Sequence, residues 1–139
     1  WSTPYETQIE PFVHQMAALG ERPDLQGKPL LVSETGACAL YGCHDRGRAQ
    51  WSEEFQADYL DEACRVVLGD PRWAGLALWQ FCDTRPYVNV GAIRTKPRGY
   101  NCAGLVDDFR RPKLAYDIVR RWFRGEQTPG DAHGADQQQ

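Results

Sequence analysis

The chain has 139 residues and a mass of 15.8 kDa, with 42% hydrophobic residues, 25% charged residues and a formal net charge of −3. This apolar content suffices for one packed domain, whereas the acidic balance offers no positive field to the phosphates of a nucleic acid. No apolar run approaches the roughly 20 residues that a membrane-spanning helix needs, so neither nucleic acid nor a membrane is expected as a partner.

The cysteines and histidines predict no metal or disulfide framework. The five cysteines are odd in number and include no Cys-x-x-Cys pair, which favours reduced, mostly buried thiols. The histidines, His14, His44 and His133, are scattered along the chain. The sequence begins at Trp1 and shows no signal-peptide pattern, so we expect a cytoplasmic protein and an excerpt of a longer chain.

The first predicted helix begins near Thr3 and Pro4, which supply an N-cap and a helix-starting proline, and it ends at Gly20. Its apolar face recurs at helical spacing over Ile9, Phe12, Val13 and Met16. Pro11 interrupts this pattern, and it predicts that the regular helix begins or kinks there.

A short apolar strand, from Pro29 to Ser33, follows and is ended by Glu34. Ser52 is then predicted to cap a long helix that ends before Gly69. A second strand is predicted from Trp73 to Phe81. Both strands read as buried on two faces, which is typical of a parallel sheet covered by helices.

The last third of the chain combines a long loop with one more helix. The loop has roughly 22 residues, which is long for a compact domain and indicates a binding role. The helix is predicted from Pro112 to Gly125, with an inner face of Leu114, Ile118 and Trp122. Residues 126–139 are polar and end in three glutamines, which predicts a disordered tail.

The order helix, strand, helix, strand, helix is typical of a parallel α/β structure. Two buried strands alone would leave both sheet edges unpaired and much apolar surface in water. We therefore expect this segment to complete a larger sheet or barrel. In such folds, functional side chains cluster where the strands end, and Glu34 and Trp79 occupy such positions. By position alone, a surface acid is as good an interpretation of Glu34 as a functional one. For Trp79, position alone favours an ordinary core aromatic residue.

Several blocks resemble, in order and at similar spacing, the end of the catalytic barrel of glycoside hydrolase family two, and most closely its β-glucuronidases. The blocks are residues 28–37, 42–44, 51–56, 78–83, 101–105 and 111–113. The resemblance implies that residues 1–125 form the C-terminal portion of a (β/α)8 TIM barrel, with its seventh and eighth strands. It further implies a retaining β-glycosidase without a cofactor, a carbohydrate substrate, an upstream part of the same barrel as partner, and an oligomeric parent enzyme as one option.

The resemblance also assigns roles to four residues. Glu34 matches the catalytic nucleophile, which must be ionised and rigidly held beside the sugar, as the end of a strand allows. Trp79 matches an apolar wall, and Asn101 an asparagine that helps to hold the substrate carboxylate together with a lysine two positions later. His44 matches a histidine of the loop after the seventh strand, as an active-site wall, a loop anchor or a hydrogen-bonded structural residue.

The sequence departs from the family pattern at the lysine, since Ala103 occupies its position. Arg94, Lys96 and Arg98 of the long loop offer a replacement cation, or else form a solvated basic loop. The specificity is therefore left open between β-glucuronidase-like and β-galactosidase-like.

The second carboxylate of a retaining glycosidase, the general acid/base, is also missing. In the resembled family it is a glutamate directly after an asparagine, and the 139 residues hold no Asn-Glu dipeptide. Glu53 and Glu54 read as helix-start charges, and Asp107 and Asp108 as a turn. We therefore expect the chain to be inactive alone. The alternative is a non-catalytic carbohydrate-binding or interaction module on a barrel-derived scaffold.

Overall fold

A computed structural model describes residues 5–85 and 96–126, with side chains from Ile9 onward. The helices and strands are α1 Tyr5–Gly20, β1 Leu30–Thr35, α2 Glu53–Leu68, β2 Trp73–Leu78 and α3 Leu114–Phe123. Two short 3₁₀ turns, Pro23–Leu25 and Pro97–Gly99, lie in the connections. The predicted order of elements is confirmed, and the described residues form a small mixed α/β unit.

The two strands pair in parallel, with α2 as the crossover between them. The register pairs Leu30 with Trp73 at the start and Thr35 with Leu78 at the end, with irregularities between. Strand β1 therefore runs beyond the predicted end at Ser33 and includes Glu34. Strand β2 stops before the predicted end at Phe81, because the residues after Leu78 pair with the segment around Ala103 instead.

Helix α2 lies at the centre of the packing, in contact with α1, α3 and β2. Ser52 caps it as predicted, since the Ser52 hydroxyl accepts a hydrogen bond from the Phe55 amide at 3.1 Å. The inner face of α2 is almost completely buried and joins the core through Phe55, Tyr59, Leu60 and Ala63. Removal of this apolar surface from water is the main stabilising term of the unit.

The sheet is covered on one face. Val32 is 8% exposed on the face packed against α1 and α2, whereas Leu31, on the opposite face, is 63% exposed. The prediction of burial on two faces is therefore wrong for the described residues. The reason is physical: both covering helices lie on the same side, and no described element covers the other.

Two details of the helices differ from the sequence prediction. Helix α1 continues through Pro11, which lies on its exposed side, so the regular helix neither begins nor breaks there. Its predicted apolar face holds, because Ile9 and Met16 are both buried. In α3, the predicted inner face is confirmed at Ile118 and Trp122, which pack partly buried against the core beside Ala115 and Val119, and is wrong at Leu114, which is 44% exposed. The helix starts at Leu114, directly after its N-cap Lys113, and not at the predicted Pro112.

All five cysteines are free, and Cys38, Cys64 and Cys102 are buried, as predicted. Among the described residues, no helix is long and apolar enough to cross a membrane. The predicted N-terminal cap at Thr3 and Pro4 and most of the predicted tail, residues 127–139, lie outside the described residues, as does Arg94.

Candidate active site

Glu34 and Trp79 lie at the same end of the two parallel strands. Thr35 ends β1, and its carbonyl oxygen accepts a hydrogen bond of 2.8 Å from the Trp79 amide, directly after β2. The Thr35 hydroxyl lies 3.0 Å from the Tyr59 hydroxyl of α2, in the buried interior. The ladder is irregular between Val32 and Thr35, so both of these residues are buried while Glu34, between them, is exposed.

The side chains of Glu34 and Trp79 are both accessible. Glu34 is exposed, and no described residue donates a hydrogen bond to its carboxylate. Trp79 is 43% exposed, so a plain core role does not account for it. The peptide bond between Trp79 and Gln80 is cis. The same end of the parallel strand pair thus carries an accessible carboxylate and an accessible indole ring.

Asn101 is brought to the same region by two short ladders. The Gln80 amide donates to the Ala103 carbonyl at 3.0 Å, one residue beyond Trp79. Thr84 and Asn101 exchange two backbone hydrogen bonds of 3.0 Å. The segment that carries Asn101 is therefore fixed against the residues that follow β2.

The Asn101 amide contacts a lysine of the long loop. Asn101 is 8% exposed, and its Oδ1 accepts hydrogen bonds from Lys96 Nζ at 3.1 Å and from the Ala103 amide at 3.4 Å. No described residue accepts from Asn101 Nδ2. A hydrogen bond with Cys102 and the charge of Lys96 lower the pKa of the neighbouring Cys38 thiol to about 7. Of the two basic loop residues that the structure describes, Lys96 and Arg98, it is Lys96 that bonds to the Asn101 side chain.

His44 lies at the N-terminus of α2, where it contacts Glu54. The distance from His44 Nδ1 to Glu54 Oε1 is 2.9 Å, and the Asp45 amide donates to the other oxygen at 3.1 Å. The hydrogen bond to Glu54 raises the pKa of His44 above its ordinary value. These contacts are those of a loop anchor, one of the alternatives considered from the sequence, and none joins His44 to Glu34, Trp79 or Asn101.

Glu53 has a role that its sequence position did not reveal. It is 4% exposed, and its carboxylate accepts hydrogen bonds from the Gly42 amide at 2.6 Å and the Leu114 amide at 2.8 Å. One side chain therefore fixes the loop after β1 and the first turn of α3. The second contact joins residues 61 positions apart, for which the sequence contains no local signal.

A buried lysine, Lys113, holds the loops around the candidate site together. Lys113 Nζ donates to Asp83 at 2.9 Å and to the carbonyl oxygens of Ala39 at 2.7 Å and Cys102 at 3.0 Å. Burial raises the pKa of the Asp83 carboxyl despite the opposing charge of Lys113. The three acceptors belong to three separate segments, so Lys113 holds together the loops that surround the candidate site. Within the described ranges, no group of three or more His, Cys, Asp or Glu residues is arranged to hold a metal ion.

No protein-family model matches the chain, but comparison of sequences finds relatives among known proteins. A β-glucuronidase of Streptococcus agalactiae is 32% identical over 97 residues, which are 69% of this chain and 15% of that protein. A β-glucuronidase of Rattus norvegicus is 32% identical over 108 residues, 74% of this chain and 16% of that protein. The chain therefore spans about a sixth of the length of these relatives.

The comparison of structures agrees. A β-galacturonidase of glycoside hydrolase family two from Eisenbergiella tayi, bound to galacturonate, superposes with a TM-score of 0.71 at 34% identity. The match covers 85% of this chain and 21% of the β-galacturonidase. The resemblance seen in the sequence blocks is thereby confirmed, and the chain is a relative of the β-glucuronidases and β-galacturonidases of glycoside hydrolase family two.

Proposed function

We propose that the chain is the C-terminal part of the catalytic (β/α)8 barrel of a retaining β-glycosidase, with β1 and β2 as its seventh and eighth strands. Glu34 is the nucleophile, and the substrate is a terminal β-linked uronic acid. The observation that carries the proposal is the accessible carboxylate of Glu34 at the end of β1, next to Thr35, whose backbone bonds to that of the accessible Trp79 after β2.

The environment of Glu34 suits a nucleophile. A carboxylate that attacks the anomeric carbon must be ionised and free of competing donors, and no described residue bonds to Glu34. Attack forms a covalent glycosyl-enzyme and releases the leaving group, and water then hydrolyses this intermediate with retention of configuration. Trp79 supplies an apolar surface beside the sugar ring.

The acid/base comes from outside this chain in the proposed mechanism. Glu53 is unsuited to the role because both of its oxygens are occupied by backbone amides in the interior. Glu54 binds His44 and the Asp45 amide. The partner of Glu34 is therefore expected on an earlier strand of the same barrel, about 5 to 5.5 Å from it.

A uronic acid is favoured over a neutral sugar by the contact between Lys96 and Asn101. The lysine expected two positions after Asn101 is replaced by Ala103, but the ammonium group of Lys96 lies 3.1 Å from the Asn101 amide. A cation and a side-chain amide thus lie next to each other, and the two together can recognise a carboxylate. The names of the relatives, β-glucuronidase and β-galacturonidase, agree with this choice.

Covalent labelling tests the nucleophile. The full-length protein that contains this chain is treated with a 2-deoxy-2-fluoro-β-glucuronyl fluoride, digested and analysed by mass spectrometry. We expect the adduct on Glu34. An adduct on another residue would exclude the assignment, and an absence of labelling together with binding of intact saccharides would favour a carbohydrate-binding module.

Substitution of Lys96 tests the specificity. In Lys96→Met, we expect kcat/KM for an aryl β-glucuronide to fall by about 10- to 100-fold, as for the loss of one charge-assisted hydrogen bond, with little change for the aryl β-glucoside. Arg120→Met on α3 is the matched control, since Arg120 lies on an exposed helix surface. An equal loss for both substrates in Lys96→Met would assign Lys96 a structural role.

A further inference from the structure

A cavity lies near the candidate active site, and Glu34, Trp79 and Asn101 do not line it. It has a volume of about 320 Å³ and lies between the loop after β1 and the residues around 98–111. This volume is at the lower end of the roughly 300–1,000 Å³ of small-molecule pockets. Its lining combines aromatic rings with carboxylate and guanidinium groups, including Tyr41, Asp83, Arg98, Asp108 and Phe109.

The inner end of the cavity presents a fixed hydrogen-bond acceptor. Asp83 is 9% exposed, and its Oδ1 accepts from Lys113 Nζ at 2.9 Å and from the Gly104 amide at 2.8 Å. No described residue donates to the second oxygen, Oδ2. Because Lys113 is itself held by two carbonyl groups, Asp83 cannot rotate freely. Its free oxygen is therefore preorganised for a donor from a ligand.

The walls are aromatic rings held by an arginine. The Arg111 guanidinium carbon lies 4.1 Å from the centroid of the Tyr41 ring and 5.5 Å from that of Phe109. Asp107 fixes Arg111 through a hydrogen bond of 2.6 Å. Phe109 is nevertheless 76% exposed and Tyr41 43% exposed. Two rings that stay in water and are held in place form a ready surface for an apolar ligand face.

The charge balance of the cavity indicates the class of ligand. Lys113 neutralises Asp83, and Arg111 neutralises Asp107. Arg98 and Asp108 form no ion pair within the described residues, although the charge of Asp108 also acts on Arg111, and the positive and negative charges balance. Such a lining has no net attraction for a phosphate or a carboxylate. It offers hydrogen-bond donors and acceptors together, which hydroxyl groups can use at the same time.

We propose that this cavity binds a neutral pyranose ring, whose C–H face packs on Tyr41 and Phe109 while its hydroxyl groups bond to Asp83, Asp108 and Arg98. The ring comes either from the leaving group of a disaccharide substrate or from a separate saccharide. The two sources share the same chemistry, and activity measurements distinguish them. Binding does not require Glu34 to be a nucleophile, so the inference stands apart from the proposed reaction.

The test uses the full-length protein with Glu34→Gln, which prevents turnover, and methyl β-D-glucopyranoside and cellobiose as probes in NMR titrations. We expect Phe109→Ser and Asp108→Asn each to weaken binding by about fivefold, as for the loss of one aromatic or polar contact. Phe123→Ser is the matched control, because Phe123 is 58% exposed on α3 and does not line the cavity. Binding that is absent, or unchanged in Phe109→Ser and Asp108→Asn, would overturn the proposal.

Kinetics of the Phe109→Ser variant with Glu34 intact show whether the ring belongs to the leaving group or to a separate saccharide. If the ring belongs to the leaving group, Phe109→Ser lowers kcat/KM for a disaccharide uronide and not for an aryl uronide. If it belongs to a separate saccharide, both values stay unchanged while probe binding is lost. Each result supports the cavity as a sugar site, provided that the titration has shown loss of binding in Phe109→Ser.

Discussion

The charged residues of this chain fall into two groups with opposite environments. Glu34 is exposed at the end of β1 and receives no hydrogen bond from the described residues. Glu53, by contrast, is buried and has both oxygens occupied by amides, and Lys113 is buried with three acceptors. A charge whose hydrogen bonds are all used within the chain acts on the fold, whereas one left open is available to a substrate. The difference predicts which substitutions affect activity and which affect stability.

The largest expected effect is on activity. Glu34→Gln in the full-length protein should lower kcat by roughly 10⁴-fold or more, as loss of a nucleophile does in other enzymes. The melting temperature should stay the same, because substitution of an exposed residue without partners usually changes stability by less than about 0.5 kcal/mol. Steady-state kinetics and calorimetry check both statements. A large loss of stability would place Glu34 in the structural group.

The second prediction concerns stability. Lys113→Met should lower the free energy of unfolding by about 3–5 kcal/mol, because it leaves the buried carboxylate of Asp83 without its cation. Urea unfolding measures this, with Arg124→Met, on the exposed end of α3, as the control. The double variant Lys113→Met with Asp83→Asn should be more stable than Lys113→Met alone. A loss below about 1 kcal/mol in the single variant would show that the pair is not coupled as described.

A smaller loss is expected for Glu53→Ala, about 2–3 kcal/mol, since two amides lose their acceptor and one of them starts α3. Glu54→Ala is the matched comparison, because the neighbouring carboxylate is partly exposed, and it should cost less than about 1 kcal/mol. Equal losses in the two variants would contradict the distinction between buried and exposed acids.

The smallest effect depends on pH and tests the exposed ion pair. The hydrogen bond to Glu54 stabilises charged His44 and raises its pKa. The contact is therefore fully present below pH about 6.5, the ordinary pKa of histidine, and is lost as the pH rises through the raised value. We expect amide exchange of residues 42–46 to increase over that range beyond the intrinsic effect of pH, and His44→Gln to remove this additional change. A His44 pKa at or below 6.5 by NMR would exclude the mechanism.

Much of the fold follows from local patterns in the sequence. Ser52 with the two acids after it predicts the start of α2, and the apolar spacing of Ile9 and Met16 predicts the inner face of α1. Strand ends are less well predicted, since the end of β2 depends on the pairing of Gln80 with Ala103, which no local pattern reveals. The start of α3 is another example, since Pro112 pairs with Val106 and the helix begins only at Leu114.

In the candidate site, too, local patterns were predictive and distant contacts were missed. Glu34 and Trp79 were predicted because the carboxyl ends of parallel strands meet at one edge of a sheet. The contact of Lys96 with Asn101 could be named only as one of three options, because a long loop does not fix the direction of its side chains. The structural roles of Glu53 and Lys113 were missed, since their partners are 61 and up to 74 positions away in sequence.

The contact between Glu53 and Leu114 bears on the order in which the chain folds during synthesis. The Glu53 carboxylate, which accepts from the first amide of α3, is synthesised 61 residues before that amide. Lys113, directly before α3, bonds to the carbonyl of Ala39, which is also synthesised earlier. Helix α2 and the loop before it can thus be in place before α3 leaves the ribosome, after which the last helix docks onto a finished surface. A ribosomal pause after α2 should therefore be harmless, whereas truncation before residue 114 should leave Glu53 buried without one of its partners.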